Sequence, residues 1–339
     1  MRDPLNEMKK SLYDRCELFI DNKDAFKAAF PWESAYFYPI CASFFMDAGK
    51  IADIDYLKDC RALLKSRVNA FSNFRSHAEL SIVAMLAVCD DPEKRLGEAI
   101  EVYAALKEHF WGSEYLPVAA MILSCDVERE RYGEICEKTR KVYDLMKKEH
   151  PFLTSSEDSV FSAMLALSYK SDEEIVRETE TCYNILKEKF FDKNAVQSLS
   201  HALALSDDGV RSISDRCRDT IRLFDYLKER GYKYGTGYEL ATLGILATLP
   251  CGLEEAARDF MDAADFLKNE KGYGFFGTYG KAQRFLHAAM IVTSEHLGSS
   301  GAMVGAAVGS TLSLIAAQQA ATCAAIAASV AAANAAHSN

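Results

Sequence analysis

Three short stretches carry residue types that could do chemistry, and each demands a particular neighbourhood. Gly272, Gly274 and Gly277 stand in the GxGxxG spacing of a dinucleotide loop. That loop works between a strand and a helix, where its glycines let a pyrophosphate approach the helix N-terminus. Here the preceding residues, DFLKNE, read as the end of a helix. The stretch is therefore expected to be a glycine-rich connection between helices, with Lys281 and Arg284 beside the next helix start as cations for some anion. His77-Ala78-Glu79 together with Pro250-Cys251 makes half of a zinc deaminase signature, but Glu254 occupies the place of the second cysteine. Without that thiolate the metal site fails. No HExxH or GxSxG motif occurs. His201 and His287 sit in apolar runs with no second ligand type at metal spacing, so both are expected to be satisfied core histidines. No catalytic residue, cofactor or metal is expected.

A more diffuse set has a common position instead of a motif. Arg75, His77, Glu114, Tyr115, Glu157, Asp158, Gln197, Tyr238, Glu239, Gln283 and Arg284 all fall at the starts of successive apolar stretches. If those stretches are parallel helices, the residues form one rim, with helix N-termini behind them. Such a rim suits an anionic or polyhydroxyl ligand, and its carboxylates could serve as acid and base. Polar residues are also what the first turn of any helix favours.

The elements that position this set come from a repeat. The strings RALLK, YAALK, YDLMK, YNILK, FDYLK and ADFLK end at Lys65, Lys107, Lys147, Lys187, Lys228 and Lys268, in steps of 42, 40, 40, 41 and 40 residues. After each lysine come charged residues, usually an aromatic, and a cluster of Ser, Thr, Asn or Gly. An apolar stretch follows. Each unit thus holds two helices. In the outer one, Ile175, Val176, Thr179, Cys182, Tyr183 and Leu186 form a single stripe at three- and four-residue steps. In the inner one, Val160, Phe161 and Ala163 to Leu167 leave little polar circumference, so that helix must be enclosed. Ser113, Ser155 or Ser156, and Thr236 are expected to cap inner helices, while acidic turns such as CDDPEKR and YKSDEE open outer ones. No period-two strand pattern is present. The expected fold is all-α, two-helix repeats of about 40 residues in a curved α-solenoid, with a closed α/α toroid as the alternative.

Residues 1–32 read as an N-terminal capping helix, 33–297 as the repeat domain of six hairpins plus a final inner helix, and 298–339 as an uncharged Gly/Ala-rich tail. Gly301, Gly305 and Gly309 give that tail a smooth face for close helix contact, in the chain itself or between copies. About 45 Å of helix would be long enough for a bilayer. However, Gln318, Gln319, Ser310 and Thr322 near its middle and the absence of flanking Lys or Arg argue against a spanning helix.

The net charge of -10 excludes a broad nucleic-acid footprint. The N-terminus has no apolar signal core, and the ten cysteines form no CxxC pair. They read as reduced thiols of a cytoplasmic protein, used as small core residues. The succession FSNFRSHAELSIVAMLA, HPFLTSSEDSVFSAMLALS, NAVQSLSHALALSDD and FFGTYGKAQRFLHAAM, with an Ala-Gln-Gln-Ala segment at Ala317 to Ala320, resembles a bacterial family of all-helical repeat proteins described only as a domain of unknown function. That resemblance implies no activity, substrate or site residue. The expected function is a helical-repeat binding or interaction protein with a protein or peptide partner. A toroid-type enzyme or small-molecule binder using the rim is the first alternative. A protein that self-assembles or associates with membranes through its tail is the second.

Overall fold

A computed structural model describes residues 8–298 of the chain, apart from 77, 112, 157, 207, 208, 238, 275 and 276. The regular structure among them is entirely helical. Outer helices are α1 (Lys10–Ala29), α3 (Ile54–Arg67), α5 (Pro92–His109), α7 (Tyr132–Glu149), α9 (Asp172–Leu186), α11 (Ile213–Glu229) and α13 (Leu253–Asn269). They alternate with inner helices α2 (Phe37–Asp47), α4 (Glu79–Val88), α6 (Leu116–Asp126), α8 (Asp158–Ala166), α10 (Lys193–Leu205), α12 (Leu240–Thr248) and α14 (Lys281–Gly298).

The described residues fall into two compact units, one of residues 19–144 and 154–167, the other of 8–18, 145–153 and 168–298. In the first, α2, α4, α6 and α8 lie side by side as an inner layer, with α3 and α5 packed outside. Every residue from Leu116 to Ser124 of α6 is buried, as an all-round apolar helix requires. Val102 and Leu106 of α5, Phe110 just after it, Leu116, Ala119 and Leu123 of α6, and Tyr132 and Cys136 of α7 share one core. In the second unit α10, α12 and α14 form the inner layer under α9, α11 and α13. There the rings of Tyr234, Phe260 and Phe285 meet at 5.2 to 5.7 Å between centroids. The beginning of α1 belongs to this unit. Tyr13 stands edge-on to Phe266 at 5.6 Å, and the Arg15 guanidinium donates to Ser294 Oγ at 3.4 Å. The first helix therefore starts against the last hairpin.

The two helix classes mostly begin differently, with inner α10, capped by Asp192, and outer α13, uncapped at Gly252, as exceptions. Outer helices carry side-chain caps: Asp53, Asp91 and Ser212 accept amides of the first turn, and Ser171 with Glu174 forms a full capping box. Inner helices α2, α4, α6 and α12 instead start from Tyr36, Ala78, Tyr115 and Glu239, which are already in helical conformation and cap no first-turn amide. Ser113, expected as a cap, accepts from the Tyr115 amide in the turn before α6. Those four inner helices enter through wound turns whose own backbone bonds stand in place of a side-chain cap. Pro39 and Pro117 sit in first turns, where no intrahelical N–H is lost. The glycine-rich stretch Gly272 to Gly277 links α13 to α14, two helices, so the strand that a dinucleotide loop needs does not precede it. The tail, including Gly301, Gly305 and Gly309, lies outside the described residues.

Candidate functional site

The loops that run from an outer helix into the next inner helix are knitted together. In the first unit, the Asn73 side-chain amide donates to the Ser113 carbonyl at 2.9 Å, and Ser113 Oγ donates to the Ser156 carbonyl at 3.4 Å. Equivalent loops of consecutive repeats therefore share one edge of this unit.

The polar side chains at these helix starts mostly turn inwards. Asp158 accepts from the Ser155 amide at 2.8 Å, and Gln283 accepts from the Gly280 amide at 3.2 Å. The Glu239 carboxylate takes the amides of Gly237 and of Glu239 itself. Asp158 and Gln283 thus perform the backward half of a capping box on their own loops, while Glu239 closes the turn just before α12. Glu239 is buried, and desolvation pushes its carboxyl above the usual range against those amide bonds. It also lies tight against the chain: a Cβ on Gly235 would come within 1.2 Å of its Oε1. Tyr115 and Gln197 are buried as well. Arg75 reaches Glu79 at 3.9 Å, where Arg61 and Lys65 also converge. The buried Nε atoms of Arg75 and Arg284 find no hydrogen-bond partner among the described residues. His77, Glu157 and Tyr238 lie outside those residues. Asp158 and Glu114 belong to one unit and Gln197, Glu239, Gln283 and Arg284 to the other.

What stands out on the loops that lead into inner helices is apolar in each unit. Trp32, Phe71 and Trp111 of the first unit are 97%, 98% and 99% exposed, and Phe152 and Phe191 of the second are 99% and 93% exposed. Their numbers step by 39, 40, 41 and 39, one per repeat. The pairs Phe110-Trp111 and Phe190-Phe191, like Phe30 and Trp32, divide the work. Phe110, Phe190 and Phe30 are buried, closing the end of the outer helix, while their neighbours face solvent. The doublets FPW, HFW and KFF were the sequence signal of this arrangement. Without burial, nothing in them says which ring is outside.

A family model described as "Protein of unknown function (DUF4003)" matches residues 22–320. The chain belongs to the DUF4003 family. It is also similar to "Uncharacterized protein YeaA" of Bacillus subtilis (strain 168), with 25% identity over 252 residues, covering 72% of this chain and 73% of that one. No solved structure matches it.

Elsewhere in this DUF4003 chain, side chains from α13, α14 and the residue just before α1 gather in the second unit. Lys9 Nζ lies 2.9 Å from Asp259 Oδ2 and also binds Glu255, while His296 Nε2 lies 2.8 Å from the same Asp259 oxygen. Glu255, Asp259 and His296 have metal-ligand spacing. The Lys9 ammonium, however, already sits on both carboxylates as a cation would, so the arrangement is an ion-pair cluster. The two core histidines differ from it. His287 Nδ1 is 2.8 Å from the Tyr273 hydroxyl, and buried His201 is driven down to about 3 by desolvation, with His150 adding to the effect. No helix among the described residues is long and apolar enough to cross a membrane.

Proposed function

We propose that this DUF4003 protein is a helical-repeat binding protein that holds a protein or peptide partner on the exposed rim aromatics Trp32, Phe71 and Trp111 of its first unit. The observation that carries this reading is the near-complete exposure of one large ring per repeat at Trp32, Phe71, Trp111, Phe152 and Phe191. Each such ring left in water forgoes roughly 1.5–3 kcal/mol of burial. Three of them in the first unit are a standing apolar surface, and aromatic side chains are the usual anchors of protein interfaces. Other exposed apolar residues, Ile51, Tyr169 and Val210, lie in the opposite turns. There the register is broken by polar residues such as Asp90 and Arg129.

Under this reading the inward-turned polar residues hold the rim loops in shape, and a small-molecule site at the helix starts is the second reading.

Both tryptophans of the chain, Trp32 and Trp111, belong to the row, so indole fluorescence reports on it directly. Covalent crosslinking in cells, followed by purification of the partner, would be compared between the full chain and a Trp32→Ser, Phe71→Ser, Trp111→Ser variant. The partner should be lost with the variant and should shift the wild-type emission to the blue. A partner retained by a folded variant overturns the proposal. So does a blue shift produced by lipid vesicles alone.

A further inference from the structure

Cys182 of α9 and Cys217 of α11 lie in the second unit, on outer helices of consecutive repeats. Both are fully buried, and their sulfurs stand 3.4 Å apart, within hydrogen-bond distance. The repeat explains the contact. Counted from Lys187 and Lys228, the two thiols hold the registers that Val102 and Cys136 hold from Lys107 and Lys147. There the Cys136 sulfur meets the Val102 carbonyl oxygen at 3.9 Å, so the same two registers face each other where one outer helix packs on the next. Cys60 with Leu96 and Leu223 with Ala257 hold these registers too. In each of those pairs at least one side is aliphatic, and a thiol there serves as a small apolar filler. Between α9 and α11 both sides are sulfur.

Two thiols at contact have a reaction open to them that neither has alone. Sulfurs already converging from two packed helices leave about 1.4 Å to close before they reach disulfide bond length. The pair is also asymmetric. The hydrogen bond with Cys182 holds the Cys217 thiol below its ordinary value, with burial opposing and the neighbouring Arg216 charge helping. The same bond and burial push Cys182 up, so Cys217 ionises first and Cys182 keeps its proton. Burial shields both sulfurs from bulky reagents. A water-sized oxidant reaches them through the local fluctuations of the outer helices.

We propose that Cys182 and Cys217 are a dithiol that hydrogen peroxide oxidises to a reversible disulfide joining α9 to α11. The Cys217 thiolate attacks one oxygen of the peroxide as the O–O bond breaks, giving a sulfenic acid. The released hydroxide takes the proton that Cys217 gave up and leaves as water. The Cys182 sulfur then attacks the Cys217 sulfur. The S–O bond breaks, and its oxygen departs as a second water with the Cys182 proton. Two thiols and one peroxide thus become one disulfide and two waters. Thiol exchange with a small dithiol reductant restores the pair.

The test treats the full chain with graded hydrogen peroxide under native conditions. Remaining thiols are alkylated in denaturant, and the peptides are mapped by mass spectrometry. The exposed Cys125 measures the dose. The folded protein should yield a linked Cys182–Cys217 peptide as its main intramolecular disulfide, lighter by two hydrogens and lost on treatment with dithiothreitol. In Cys182→Ala the Cys217 sulfenic acid has no resolving thiol and should be captured by dimedone. Peroxide applied in concentrated urea, where the helices no longer hold the sulfurs together, should lower the yield of this pair several-fold. Cys182 and Cys217 both still open to alkylation in the folded protein, once Cys125 has reached the sulfinic acid, would overturn the proposal. A linked peptide that forms as readily in urea as in the native state overturns it too, because the fold then contributes nothing. Both readings use the wild type, so neither requires a variant to fold.

Discussion

Asn73 and Ser113 occupy the same loop in consecutive repeats, and the side-chain amide of the first donates to the carbonyl of the second at 2.9 Å. The bond runs along the edge that carries Phe71 and Trp111, so it couples the loops presenting those two rings. Removing it orphans a backbone acceptor between two loops. Asn73→Ala should cost about 1 kcal/mol in urea unfolding. It should also raise amide exchange in the loops around Phe71 and Trp111 without loss of helix by circular dichroism. Exchange unchanged in both loops would count against the coupling.

Helices α10 and α12 approach closely because Gly244 has no side chain. A Cβ there would stand 2.4 Å from Leu199 Cδ1 and 3.2 Å from Leu203 Cδ2. Gly244→Ala gains helix propensity but must push two buried leucines out of a filled layer. Overpacking of this kind typically costs about 1–3 kcal/mol, so the variant should unfold at lower denaturant despite its better helix former.

The Asp259 carboxylate, with the Cys251 side chain second, raises His296 to about 9, above its ordinary value of 6.5. The folded state thus holds a proton that the unfolded chain releases earlier. This contribution is complete below about pH 6.5 and is lost as pH rises through about 9. Its ceiling is roughly 3 kcal/mol. Denaturation of the wild type should therefore become easier between those limits, while His296→Gln should show a flatter profile in the same window. Equal slopes would disprove the linkage.

His201 carries the opposite sign. Desolvation first, then the His150 charge, lowers it from 6.5 to about 3. The stability it permits is complete above about pH 6.5 and is lost as the unfolded chain takes up the proton on acidification. Between pH 7 and 5 the wild type should lose about 2 kcal/mol from this group alone. His201→Gln should lower stability at neutral pH but lose less on acidification, which a pair of urea titrations would show.

Much of the fold was legible because its signals are local. All-round apolar runs such as Leu116 to Leu123 had to be enclosed, and the single stripe from Ile175 to Leu186 had to face one way. The lysine register set the repeat, and Ser171 with Glu174 marked a helix start by their spacing alone. The rim was legible as a position but not as a role. Asp158 and Gln283 looked like ligand groups in the sequence, yet in the fold they hold the amides of Ser155 and Gly280.

The sequence by itself determined the helix pairs, their period and which helix of each pair is inner, because hydrophobic periodicity follows from the backbone turn. Only the tertiary structure decided that Phe110 goes inside and Trp111 outside, since both are aromatic and adjacent. It alone brought Lys9, Asp259 and His296 together from opposite ends of the chain. The physical reason is the same in both cases. Burial and long-range neighbours arise when helices pack, and no spacing within one helix encodes them.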